Sequence, residues 1–293
     1  RYCRGNSLLE LLVSYSLTGT LLKRLGMEGG GLHLYGASST GKTTCAQIAG
    51  SVCGGGGNRG FIRQWRATHN ALEAIAVLHN DSLMILDEIS QATGDTVSQV
   101  SYMLINGQGK DRLRADASRR KTYTWLLNFL STGELTINDK IQWDGRQSAM
   151  AGQEVRVIDL PIDGLETGSA FQNLHGLPDG GKFSELLGRN AYQYYGSPLR
   201  AFLTAFRADM VPNITKLSTE IRGFNEEYCP MDASGQVKRV AKKFAIIAAA
   251  GELGIAFGVL PFEAGAAKKA AAEWFKIWLE RRNGHGDLET QKA

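Results

Sequence analysis

Apolar residues fall in short continuous runs separated by amphipathic stretches, an alternation that predicts buried strands wrapped by helices. Between positions 7 and 25 they recur at helical spacing, from Ser7-Leu8-Leu9 to Leu21-Leu22-Lys23-Arg24-Leu25, until Gly26 and Gly29-Gly30-Gly31 stop the helix. Leu32-His33-Leu34-Tyr35 follows as a first strand, and Thr44 to Ala49 is helical. A run of glycines from Gly54 to Gly57 separates that helix from a second strand, Phe61 to Trp65. Thr68 is placed to cap a helix from Asn70 to His79 whose Leu72, Ile75, Ala76 and Leu78 form one face. The next strand, Leu83-Met84-Ile85-Leu86, ends in Asp87-Glu88, and a helix is expected over about 95–105. Two more strands are read at 126–131 and 154–160. Strands of this kind alternating with helices predict an α/β fold, a mainly parallel sheet covered on both faces, with ligands at the carboxyl ends of its strands.

From Pro161 onward the strand pattern disappears. Gly176 to Gly181 reads as a loop, and helices are expected over 199–210, 213–224, 237–251 and 262–281. In the last of these Trp274, Ile277 and Trp278 form the core face. The chain therefore divides into an N-terminal helix (1–27), a sheet-based core (28–164) and a helical remainder (165–293).

Composition changes this picture little. At 293 residues the chain has ample length for one large core, and its net charge of +4 permits a nucleic-acid partner without arguing for one. Cys3, Cys45, Cys53 and Cys229 include no C-x-x-C pair, which suggests neither a zinc knuckle nor a disulfide framework and implies a reducing, cytoplasmic setting. The most apolar stretch, Phe244 to Leu260, carries Glu252 near its middle and reads as a buried helix rather than a membrane span. The chain starts at Arg1 and ends in a polar run, and is expected to be a piece of a longer protein.

The chemistry concentrates at Gly36-Ala37-Ser38-Ser39-Thr40-Gly41-Lys42-Thr43, which matches the P-loop spacing G-x-x-x-x-G-K-[ST] between a strand and a helix. Gly36, Ser38, Ser39, Thr40, Gly41, Lys42, Thr43 and Thr44 are the expected phosphate cradle, because glycines let successive N–H groups converge on an anion at a helix N-terminus. Lys42 would neutralise the β- and γ-phosphates, and Thr43 and Asp87 would hold Mg²⁺. Glu88 would polarise the attacking water. No Asn-Lys-x-Asp guanine reader occurs, which favours ATP. Ser131 and Thr132 end the next strand, where a polar side chain reaches the γ-phosphate or the lytic water, the alternative being a strand-ending turn. Arg156, or Arg146 ten positions earlier, is a candidate for the cation that a neighbouring subunit offers to the phosphate, with a plain surface arginine as the alternative.

Positions 110–121 hold six basic residues against two acidic ones. Lys110, Arg112, Arg114, Arg119, Arg120 and Lys121 read as a basic hairpin turning at Asp116-Ala117-Ser118, suited to nucleic-acid phosphates in a ring's channel; a solvated charge run is the alternative. His33, His69, His79, His175 and His285 show no metal-ligand spacing and read as structural.

With these residues in view, the chain resembles the family catalogued as domain of unknown function 927, a AAA+-type helicase module of phages and mobile elements often found beside primase domains. The likeness rests on residues 31–43, on Trp65-Arg66-Ala67-Thr68-His69-Asn70-Ala71-Leu72-Glu73, on Leu86-Asp87-Glu88-Ile89, on Asn106-Gly107-Gln108-Gly109-Lys110, on Leu130-Ser131-Thr132-Gly133-Glu134 and on Ala151-Gly152-Gln153-Glu154-Val155-Arg156. The resemblance implies a AAA+-like P-loop ATPase with a C-terminal helical lid. It further implies an ATP- and Mg²⁺-dependent motor, hexameric, that moves along single-stranded DNA in replication and works with a primase domain. It also makes Arg239 a counterpart of the AAA+ lid arginine. A nucleotide-gated DNA-binding initiator and a protein-remodelling ATPase are the alternative functions.

Overall fold

The computed structural model describes residues 1–55, 60–110, 122–143, 156–162 and 169–282. Its first helix, α1 (Ser7–Thr18), is buried on nearly every side, as an apolar helix with no solvated face must be. The helix expected to run to residue 25 is broken at Gly19, where a Cβ would stand 2.3 Å from the carbonyl oxygen of Ser82, and only a short α2 (Leu22–Leu25) follows. Then come β1 (Gly30–Tyr35), α3 (Lys42–Cys53), β2 (Ile62–Gln64) and α4 (His69–Leu78), the last capped by Thr68, whose hydroxyl accepts from Ala71 N. Next are β3 (Leu83–Asp87), a 3₁₀ turn (Ile89–Gln91), α5 (Gly94–Asn106) and β4 (Asn128–Gly133). α6 (Ile137–Trp143) and β5 (Val157–Pro161) complete the sheet-bearing part.

The five strands form one parallel sheet in the order β2-β3-β4-β1-β5. β4 thus lies between β1 and β3, and the ends of all three meet. Period-two alternation divides the strands between two cores: Leu83 and Ile85 face the core that includes α1 and α3, whereas Met84 and Leu86 face the one with Trp65, Val97 and Ile137.

Five helices follow: α7 (Gly180–Gln193), α8 (Ser197–Ala208), α9 (Met210–Tyr228), α10 (Gly235–Ala256) and α11 (Ala266–Arg281). α7 was not expected from the sequence; its polar, glycine-bearing pattern buries only Phe183, Leu187 and Ala191. α6 was likewise unread, being seven residues long. The first core is continuous from α1 and α3 into α10 and α11, where Phe244, Trp274 and Phe275 are almost fully buried. Trp274 Nε1 donates to Ser7 Oγ at 3.2 Å, tying the last helix to the first. Among the described residues no helix is long and apolar enough to cross a membrane.

Candidate functional site

The loop between β1 and α3 carries three positive φ angles, 150° at Gly36, 65° at Ser39 and 98° at Gly41. Glycine takes such angles without strain, and Ser39 at φ 65° is an uncommon left-handed backbone for a residue with a side chain. Segment 169–171 seats the loop from one side: Ala170 N donates to Thr40 O at 3.0 Å, and a Cβ on Gly41 would lie 2.8 Å from the Phe171 ring. On the other side Ala37, Ser38, Ser39 and Thr43 are exposed. Lys42 is buried and folded back, its Nζ donating to Gly36 O at 2.8 Å and Ala37 O at 2.5 Å. α3 begins at Lys42 with no side chain capping it, so its first N–H groups and the positive end of its dipole open toward the loop.

The Thr132 hydroxyl organises the adjacent strand ends. It donates to Asp87 Oδ1 at 2.5 Å and accepts from Glu88 N at 3.0 Å, so one side chain of β4 fixes both carboxylate residues. Thr43 Oγ1 stands 3.5 Å from the same Asp87 oxygen. Burial pushes the Asp87 carboxyl above its ordinary value, partly offset by the Thr132 hydrogen bond. Glu88 has a left-handed backbone, φ 64° and ψ 77°, unusual outside glycine, and its Oε1 accepts from Ser90 Oγ at 2.5 Å. Among the described residues no group of three or more His, Cys, Asp or Glu is arranged around a metal. Thr43 and Asp87 nevertheless offer the sparse hard-oxygen set that suits Mg²⁺, an ion that keeps most of its waters.

Ser131 points the other way. It is fully buried, accepts from Trp65 Nε1 at 2.9 Å and lies 2.9 Å from His33 Nδ1. His33 Nε2 is 2.8 Å from Leu135 O, which can only accept, so Nε2 carries the ring proton and Ser131 donates to Nδ1. The expectation that Ser131 shares the front of the site with Thr132 is therefore corrected: adjacent residues on a strand face opposite sides, and Ser131 braces β4 from behind. Trp65 was missed as a site-supporting residue; its signals in the sequence were its place at the end of a strand and at the head of one of the motifs of the family likeness.

Burial holds the His33 pKa down to about 4. Between that value and the usual 6.5 the unfolded chain binds a proton that the folded chain does not, so stability is full above 6.5 and falls with acidification toward 4. Urea midpoints measured from pH 7 to pH 4 are expected to fall for the native chain, and to fall less for His33→Gln.

Arg156 precedes β5, at the end of the sheet opposite the Gly36–Thr43 loop; its carbonyl accepts from Gly31 N at 2.8 Å. Among the described residues its Nε is buried without a hydrogen-bond partner. Arg239 lies at that same end, on α10, beside a basic groove of about 390 Å³ lined by Glu28, Lys238, Lys242 and Lys243. It therefore does not cover its own chain's loop as a lid arginine would, which corrects the expectation for a site within one chain. Lys110 is exposed and follows Gly109. Arg112, Arg114, Arg119, Arg120, Lys121 and Arg146 lie outside the described residues. The residues flanking the basic stretch pair with one another: Gln108 bridges antiparallel to Thr124, and Gly109 N donates to Tyr123 O at 2.9 Å.

Comparison with known proteins now bears on this geometry. The family described as "Domain of unknown function (DUF927)" matches residues 1–124, which include the loop, Asp87 and Glu88. Over those residues the chain is similar to that family. A solved structure, SCCmec type IV Cch, named an active helicase, superposes with a TM-score of 0.72 at 20% identity, covering 98% of this chain. This chain spans about half of that protein, 51% of its length, and at this identity the likeness is one of fold. A crystal structure of JCV helicase bound to a thiazolopyridine acetamide is far less similar, at a TM-score of 0.31 and 11% identity over 73% of this chain and 64% of that one. No curated protein matches the sequence.

Proposed function

We propose that this chain is the ATPase core of a ring-forming DNA motor, with residues 28–164 as the catalytic part and 165–293 as its helical companion. The observation that carries the reading is the convergence of Thr43, Asp87, Thr132 and Glu88 beside a loop of P-loop spacing. ATP phosphates would meet the N–H groups of Gly41 to Thr44 at the start of α3. Lys42 Nζ would leave the carbonyls of Gly36 and Ala37 for the phosphate oxygens. Thr43 and Asp87 would hold Mg²⁺, which when bound neutralises charge on the transferred phosphoryl group. Glu88 would take the proton of the attacking water as the new P–O bond forms and the bond to the ADP oxygen breaks. Thr132 keeps Asp87 and Glu88 apart in these two roles.

Arg156 and Arg239, sharing the far end of the sheet, would serve the nucleotide of a second copy, as a head-to-tail ring requires. The paired flanks at 107–109 and 123–125 support a basic hairpin carrying Lys110, Arg112, Arg114, Arg119, Arg120 and Lys121 onto single-stranded DNA. The helicase fold of the structural neighbour supports the same reading, and a primase domain would lie elsewhere in the full protein.

Steady-state ATP hydrolysis with and without single-stranded DNA tests this. Stimulation by DNA is expected; a rate indifferent to DNA would favour a protein-remodelling ATPase. Changing Arg114, Arg119 and Arg120 to Glu is expected to weaken DNA binding and to flatten the salt dependence by about 2 in log–log slope, at roughly 0.7 per phosphate contact. An unchanged slope in filter binding would move the DNA surface elsewhere.

A further inference from the structure

Lys243 is the least expected charged group in the fold. It projects from α10 to the start of the sheet, where Nζ donates to Arg156 O at 3.0 Å and, more loosely, to Gly29 O at 3.3 Å. The place is shaped for it: a Cβ on Gly30 would lie 1.7 Å from Nζ, so only glycine at that position leaves the amine room. Among the described residues no carboxylate forms an ion pair with it. Tyr15 of α1 and Glu28 line the small cavity around it, and Arg156 and Arg239 act on its charge. Burial, with the two arginines opposing Glu28, brings the amine down to about 7. A lysine directed at two backbone carbonyls, one belonging to a candidate trans-acting arginine, contributes geometry rather than charge pairing.

We infer that Lys243 is a positioning residue: it fixes the backbone of Arg156 to α10, so that the helical part sets where that arginine stands against the nucleotide of the next copy. The inference rests on the proposed shared site and adds the device that aims it. Through this one side chain, displacement of α10 is transmitted to residue 156 without passing through the chain's own nucleotide loop, which lies at the other end of the sheet. Lys243 touches no substrate atom.

The test uses the 1–293 chain and mixed oligomers. Lys243→Met is expected to bind a fluorescent ATP analogue within about twofold of the native chain, because the loop is remote, and to lose at least tenfold in turnover. Lys42→Ala, which lacks loop function but retains its Arg156 and Lys243, is expected to be equally inactive alone. Mixing the two is expected to restore about a quarter of the native rate, since one random head-to-tail junction in four pairs an intact loop with an intact donor. A merely structural defect would not be complemented in this way. Arg156→Ala mixed with Lys42→Ala is the control. Recovery there but not with Lys243→Met would overturn the role of Lys243, as would native turnover by Lys243→Met. Absence of recovery in both mixtures would overturn the shared site itself. If Lys243→Met does not fold, Lys243→Gln, which keeps amide N–H groups near the two carbonyls, carries the same comparison, with a smaller turnover loss expected.

Discussion

Lys42→Ala is expected to lower ATP affinity at least a hundredfold, about 2.7 kcal/mol, while leaving the fold intact. The Nζ donates to Gly36 O and Ala37 O, so the cation is held over the loop rather than extended into solvent. When phosphate replaces those carbonyls, neutral acceptors give way to charged ones, and each charge-assisted hydrogen bond contributes roughly 1.5–3 kcal/mol. The two carbonyl hydrogen bonds of the buried Nζ stay within its own loop, so the thermal midpoint is expected to fall by a few degrees. Titration calorimetry with ATP checks the first part and thermal unfolding the second. Native affinity in the variant would remove the loop from the nucleotide site.

Glu88→Gln is expected to show the opposite combination, near-native ATP binding with turnover reduced roughly 10²- to 10⁴-fold, the range for a positioned general base. The amide keeps an oxygen to accept from Ser90 Oγ, and the left-handed backbone and the Glu88 N to Thr132 hydrogen bond do not depend on the carboxylate. What is lost is the capacity to take a proton from water. Single-turnover hydrolysis separates the two effects. If the native chain itself scarcely turns over and Glu88→Gln binds DNA in the same ATP-dependent way, the protein is a nucleotide-gated initiator and not a motor.

The sheet-bearing half was largely legible because its signals are local and strong. Continuous apolar runs marked the strands, Thr68 marked the start of α4, and Asp87-Glu88 at the end of a buried run marked the carboxylates. What escaped depends on direction or on distant packing. Ser131 and Thr132 read alike as polar residues at a strand end, yet the pleat sends Thr132 to Asp87 and Ser131 to Trp65 and His33. β4 begins two residues later than read, at Asn128, whose side chain accepts from Gly30 N and donates to Thr18 Oγ1. α7 was missed because its glycines and polar residues imitate a loop, and packing of Phe183 and Leu187 on the first core makes it a helix. Arg239 was assigned by likeness, and only its place in the groove with Gly26, Met27 and Glu28, just before β1, reveals which end of the sheet it occupies. Lys243 had no sequence signal, for it is one of four basic residues in the first half of α10, and nothing in the sequence says which of them meets backbone carbonyls.

The most direct test of the account is the ATPase rate per chain over a range of protein concentration, with single-stranded DNA, for the native chain and Arg156→Ala. A site shared between copies predicts a specific rate that rises with concentration in the native chain, and a rate at least tenfold lower in Arg156→Ala at equal ATP affinity. A native rate independent of concentration and unchanged in Arg156→Ala would contradict it, placing the whole catalytic apparatus within one chain.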